Sequence, residues 1–208
     1  MKWAVIALAV ALPLHADDDI IDADRPGIAD GSHSVKREHF QIELGVQHDD
    51  YVLPALLRYG LTDALELRLE NDNGSAPFSL GFKDHVLERG ITSVGVIGRW
   101  FVAHRSYGDL RVTSDISPNE HWSINPNIGV AIDRQHSKSA TAALTLQYNF
   151  TPRLNVFIDG GAQRSQLLVD AGGAWVVGNN TQFDVSVFHT AHGAGPTTMW
   201  SAGVSRRF

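Results

Sequence analysis

The chain has 208 residues, with 17 Lys and Arg against 23 Asp and Glu, a formal net charge of −6 and no Cys. A disulfide framework, a thiolate metal site and a Cys nucleophile are therefore excluded. An acidic balance without long like-charge runs argues against nucleic acid as a partner. The length suits one domain, and no apolar run is long enough for a transmembrane helix.

Residues 1–16 read as a secretory signal peptide. Lys2 is the positive start, residues 3–12 are a short apolar run, Pro13 breaks it, and Leu14-His15-Ala16 precedes Asp17-Asp18-Asp19. The competing reading is a buried N-terminal helix. Residues 17–37 have no clean period. Asp22, Asp24 and Asp30 lie there with Arg25, Pro26, Gly27 and Gly31, a composition of loop or arm.

From residue 38 the period becomes two and stays so to residue 208. Phe40, Ile42, Leu44 and Val46 alternate with Gln41, Glu43, Gly45 and Gln47. Leu53, Ala55, Leu57 and Tyr59 form a second run, closed by the turn Gly60-Leu61-Thr62-Asp63. Leu65, Leu67 and Leu69 against Glu66, Arg68 and Glu70 make the clearest strand. Phe78, Leu80 and Phe82 follow, but Asp84 falls on their apolar face, which calls for a bulge or an early strand end. Further alternating runs are centred on Val96, Val112, Ile128, Leu146, Val156, Val169 and Val185, with a last one over residues 199–208. Short turns near Gly60, Gly90, Asn119, Thr151 and Asn179 alternate with loops near Asp49, Asn73, Ser106, His136, Arg164 and Gly193. Residues 163–166 read as one of these loops.

The total is twelve strands, an even number joined by short connections. This predicts an all-β, closed, antiparallel up-and-down transmembrane barrel over residues 38–208. The last strand has an open edge that needs pairing, and the first supplies it. A soluble sandwich also alternates, with its apolar face inward. Short meander connections and the secretory start favour the membrane, where apolar residues face lipid and polar ones the lumen. Backbone groups in lipid must all be paired, so the sheet must close. Tyr59, Trp100, Trp122, Tyr148, Phe150, Trp175, Trp200 and Phe208 share the apolar parity, as interface girdles do. Arg206 is the awkward residue on that parity, placed where it can snorkel at the rim.

Two resemblances add to this. A strand ending on Phe208 is similar to the end of bacterial outer-membrane proteins, where the terminal aromatic is an assembly signal. This implies the barrel-assembly machinery as a partner. Ile21-Asp22-Ala23-Asp24-Arg25-Pro26-Gly27, Ala29-Asp30-Gly31, residues 39–45 and residues 57–68 resemble the bacterial outer-membrane transporter family labelled "meta-pathway of phenol degradation". The resemblance is specific over residues 21–69 and architectural beyond. It implies an outer-membrane barrel, set in lipid, for passage of small, often aromatic, solutes; the barrel is expected to be a monomer. It carries over no catalytic residue and no cofactor.

The inward parity assigns Glu43, Arg58, Glu66, Arg68, Glu70, Lys83, Arg99, Arg111, Asp115, Asn125, Asn127 and Asp159 to the solute path. These charges either pair with one another and fill the barrel, or line a conducting path. Arg58 and Arg68 face Glu66 and Glu70 on a hairpin partner. Twelve strands about 4.8 Å apart and tilted about 40° give a backbone diameter of about 24 Å, and side chains leave a gap of about 10 Å. The arm, with Asp22, Asp24, Arg25 and Asp30, fits such a gap as a plug, with Asp24 or Asp30 meeting Arg58 or Arg68. A disordered periplasmic tail is the alternative. The functional alternatives to a channel are a non-conducting structural barrel and, remotely, a lipid hydrolase. For the hydrolase, His189 and His192 find no Ser on their own face, since Ser186 points to the lumen. The two His also lack a third metal ligand nearby.

Overall fold

The computed structural model describes residues 19–47, 53–71, 78–102, 107–133, 135–163, 166–191 and 197–208. The leader at 1–16 and the loop tips at Asp49, Asn73, Ser106, Arg164 and Gly193 lie outside them, as does His192. Twelve strands follow in order: β1 (Phe40–Gln47), β2 (Ala55–Gly60), β3 (Leu65–Asn71), β4 (Phe78–Arg89), β5 (Thr92–Val102), β6 (Tyr107–Ile116), β7 (Trp122–Ile132), β8 (Lys138–Thr151), β9 (Leu154–Gln163), β10 (Gln166–Val177), β11 (Thr181–Ala191) and β12 (Thr197–Arg207). Each strand pairs with the next in sequence, and β1 closes on β12.

Side-chain parity decides what faces where. Leu67 is 47% exposed on the outer face, while Glu66 beside it is fully buried in the lumen. Leu80, Leu110, Ile128 and Val185 are exposed in the same way around the circumference. In water this would be an apolar sheath far larger than a soluble monomer carries, so the alternation fits lipid outside and polar packing inside. Aromatic contacts cluster on β7, β8, β10 and β11 at the end that carries the short turns. Trp122 and Tyr148 sit edge to face at 4.9 Å, Tyr148 and Phe150 at 5.1 Å, and Trp175 near Phe183 at 6.5 Å. Phe78, Trp100 and Trp200 are exposed near the opposite rim. Arg206, on the outer parity, donates to Thr181 Oγ1 and lies over the Phe208 ring at 5.7 Å.

The disturbance expected at Asp84 takes the form of a bulge. The β4–β5 register shifts between His85 and Leu87, and β4 continues to Arg89. The extra residue leaves Val86 and Leu87 both exposed, so the apolar face recovers beyond Asp84. The expected loop at 163–166 is shorter than its alternation indicates, because β9 runs to Gln163 and β10 begins at Gln166. Gly160, Gly161 and Ala162 pair there with Leu168 and its neighbours, but they carry no bulk to mark a face. In β7, Pro126 pairs with Leu144 on the β8 side. On the β6 side the ladder skips from Thr113 to Ile116, since proline has no N–H to give. The tight turns use Gly90 (φ 62°) and Gly178 (φ 65°), a backbone region that favours glycine.

Candidate functional site

The lumen is organised by the arm at 19–37. Both of its feet stand at the turn end of the barrel. Ile21 N donates to Asn179 O at 2.7 Å, and Arg37 bridges Gly60 in parallel. Asp19 joins the two feet through Lys36 at 3.1 Å. Between the feet the chain climbs into the lumen and returns.

The climbing half meets β1 to β4. Asp22 uses its carbonyl, which accepts from Gln41 Nε2 and Arg58 Nη1, both at 2.9 Å. Asp24 then enters a cluster of three cations, with Lys83 Nζ at 2.7 Å, Arg68 Nη1 at 2.8 Å and Arg58 Nη1 at 3.7 Å. Burial opposes the charge on Asp24, but Arg58, Lys83 and Arg68 outweigh it and hold its pKa well below the usual carboxylate range. Glu43 accepts from the backbone N–H of Asp24 at 3.3 Å and of Arg25 at 3.0 Å. Arg25 reaches across the β1–β12 seam, where it donates to Ser201 Oγ at 2.9 Å and pairs with Asp184 of β11 at 3.4 Å. At the top, Ile28 N donates to Asp159 at 2.7 Å, and Asp30 pairs with Arg111 at 3.0 Å and Arg68 at 3.5 Å. Asn127 Oδ1 accepts from Asp30 N at 3.0 Å.

The descending half meets β3 to β6. Asp115 accepts from Ser32 N at 2.7 Å, and also from Ser32 Oγ and Asn125 Nδ2. It pairs with His33 at 3.1 Å. That hydrogen bond raises the His33 pKa, against the opposing effect of burial. The His33 ring stacks on His85 at 5.1 Å, and Glu66 Oε2 accepts from Val35 N at 2.7 Å.

Glycines on the wall make room for this path. A Cβ on Gly60 would lie 1.9 Å from Lys36 O, one on Gly95 2.8 Å from Ser32 O, and one on Gly161 2.7 Å from Ile28 Cγ2. A Cβ on Gly45 would lie 2.4 Å from the Arg25 guanidinium.

The charge logic is two-sided. The inner face of β2 to β6 carries Arg58, Arg68, Lys83, Arg99 and Arg111 together with Glu66, Glu70, Asp109 and Asp115, and the arm adds Asp24 and Asp30 to its cations. The inner face of β9 to β11 carries Asp159, Asp170 and Asp184, and the arm offers it Arg25 and the N–H of Ile28. Arg58 also pairs with Glu66 at 2.9 Å and Glu43 at 3.0 Å. Glu70 is not the partner of Arg58 or Arg68 that hairpin adjacency suggests. It pairs with Arg99 at 3.2 Å, because Arg68 is drawn to Asp24. Arg99 also meets Asp109 at 2.9 Å, and Arg111 meets Asp109 at 3.0 Å. Among the described residues the Asp22 carboxylate has no Arg within ion-pair distance; it lies 3.8 Å from His33 Nδ1.

Asp109 is the lumen acid that the alternation missed. It sits two residues before Arg111 on the same face, in a strand that begins at Tyr107 where a loop was expected. Ser32, His33, Gln182 and Ser201 also meet in the lumen, and none carries the fixed charge by which the sequence singles out lumen residues. Phe208 closes the seam by backbone bonds, its N donating to Phe40 O at 2.8 Å and its O accepting from Phe40 N at 3.1 Å. His189 faces outward and bonds Thr198 Oγ1 at 2.8 Å, away from Ser186 in the lumen.

Two cavities, each of about 330 Å³, lie in the lumen on either side of the arm. One reaches toward the loop end, past Arg99, Arg111 and Leu168. The other reaches toward the turn end, past Ser117, Asn149 and Gln182. Residues 24–27 line both, so the arm is the partition between them.

The sequence matches the family described as "Putative MetA-pathway of phenol degradation" over residues 23–208. The chain belongs to this family. The matched region includes the partition at 24–27 as well as the barrel. Solved structures of similar fold are outer-membrane barrels. An outer membrane channel from Pseudomonas putida F1 has TM-score 0.65 at 12% identity, over 90% of this chain and all of that one (100%). The KdgM porin in complex with disordered oligogalacturonate has TM-score 0.64 at 9% identity, over 82% of this chain and 99% of that one. Omp33 of Acinetobacter baumannii has TM-score 0.53 at 7% identity, over 82% and 97%. At these identities the likeness is one of fold. No curated protein compared with the chain matches it.

Proposed function

We propose that this family member is a bacterial outer-membrane channel for small solutes, without enzymatic activity, and that the arm is its plug. The carrying observation is the pair of lumenal cavities that share residues 24–27 of the arm as their common lining. Each is of a size that holds a small molecule, and a solute crossing from one to the other must displace the arm. The loop-end cavity joins an apolar strip of Pro26, Ile28, Leu56 and Leu168 to the Arg99 and Arg111 side, which suits amphipathic solutes such as phenols. The saturated ion pairs around Asp24 favour the second reading, a non-conducting barrel whose lumen is packed for stability.

Deleting residues 17–35 separates the two. Single-channel conductance should rise several-fold over the full-length barrel, and liposomes carrying the deletion should swell in phenols and small sugars faster than empty ones. Unchanged conductance sinks the plug, and swelling no faster than that of empty liposomes leaves the structural barrel.

A further inference from the structure

Arg25 rests in a cradle on the wall that is shaped for a planar cation. Gly45 and Gly203 stand directly opposite each other across the β1–β12 seam, both facing inward. The guanidinium lies on this bare floor, 2.4 Å from where a Gly45 Cβ would be, while its Nε is 2.6 Å from a Gly203 Cβ. Any side chain at either position would fill the cradle. Asp184 forms its wall, with a side chain of 0% exposure.

The fit of Arg25 is incomplete. Its contact with Asp184 is a single one at 3.4 Å, and among the described residues Asp184 Oδ2 and Arg25 Nε have no hydrogen-bond partner. Oδ2 nevertheless points over the floor, 2.8 Å from the Gly203 Cβ position. A tethered Arg is held by its backbone, through Glu43 and Gln182, and cannot settle both of its edges on the carboxylate. A free guanidinium can, in the bidentate geometry that planar forks favour. Arg25 also lines both cavities, so a solute arriving from either end meets the cradle. Among the described residues, Arg25 is the cation paired with Asp184. When the arm leaves, Asp184 loses this cation, and the acidic wall of the cradle is open to another.

We propose that this cradle is a binding site for the cationic head of a small solute, a guanidinium or a similar planar cation, which competes with Arg25 for Asp184 and so releases the arm. This rests on the channel reading above, and the test keeps the two apart. Methylguanidinium is the probe, and urea is its neutral counterpart of similar shape. Calorimetric titration of the detergent-solubilised Arg25→Ala barrel should show methylguanidinium binding, weakened about tenfold or more in Arg25→Ala with Asp184→Asn, with no binding of urea. In planar bilayers, methylguanidinium should raise the conductance of the full-length protein, and urea should not. Equal binding by the two variants, or equal effects of methylguanidinium and urea, would overturn the site. Binding that depends on Asp184 in a barrel that never conducts would uphold the site and defeat the channel.

Discussion

Asp24→Asn is expected to release the arm and open the lumen. Asp24 is the arm's anion set among Lys83 at 2.7 Å, Arg68 at 2.8 Å and Arg58 at 3.7 Å. The substitution keeps the shape but removes the charge, and it turns a donor toward at least one of the three cations. Glu66 and Glu43 still partner Arg58, but Arg68 and Lys83 lose their short contacts. Removing one partner of a buried ion pair costs about 3–5 kcal/mol. Charged to docking of the arm, that is between about two and four orders of magnitude in the docked fraction. Two readouts should move together: cleavage of the arm by a protease added from the turn end, and single-channel conductance approaching that of the arm deletion. An Asp24→Asn barrel with the protease resistance and conductance of the parent would show that Asp24 does not hold the arm.

Gly60→Ala is expected to cost more than any other single added methyl on the wall. The new Cβ would sit 1.9 Å from Lys36 O, 2.4 Å from Lys36 C and 2.5 Å from Val35 O. All three are backbone atoms, so no side chain can swing aside. The same glycine donates to His39 O at 3.0 Å and accepts from Glu38 N at 2.9 Å, so β2 is tied at this point. Overpacking of this kind costs about 1–3 kcal/mol. Gly90→Ala is the comparison, since nothing lies within 4 Å of its Cβ and only the positive φ of 62° resists it. Thermal unfolding of the folded barrel in detergent should therefore show a larger loss for Gly60→Ala than for Gly90→Ala. The reverse order would mean that the arm's returning foot does not press on Gly60.

Much of this architecture is legible in the chain itself. Leu65, Leu67 and Leu69 against Glu66, Arg68 and Glu70 state the inside and outside of a barrel wall, and β1 and β12 pair as an even strand count requires. The arm's meeting of Asp24 and Asp30 with Arg68 follows from opposite charges confined in one lumen. What stays hidden has physical reasons. A lumen-facing glycine such as Gly45, Gly60 or Gly203 reads as a weak strand position, because its purpose is the space it leaves for an arm distant in sequence. Partner choice among Arg58, Arg68, Arg99, Glu66 and Glu70 depends on a third charge, Asp24, that no hairpin rule includes. The extension of β9 and β10 through Gly160, Gly161 and Ala162 is carried by backbone pairing alone.

Passage through the barrel is expected to require the arm to leave its docked place. The chain has no Cys, so a pair introduced as Ile28→Cys and Gly161→Cys is unique in it. Ile28 Cγ2 lies 2.7 Å from the Gly161 Cβ position, which brings the two Cβ atoms within the roughly 4 Å that a disulfide needs. Solute-driven swelling of liposomes carrying this variant, measured oxidised and then reduced, shows whether the arm must move. Blocked swelling when oxidised, restored on reduction, is the result expected of a movable plug. Equal swelling in both states would contradict it.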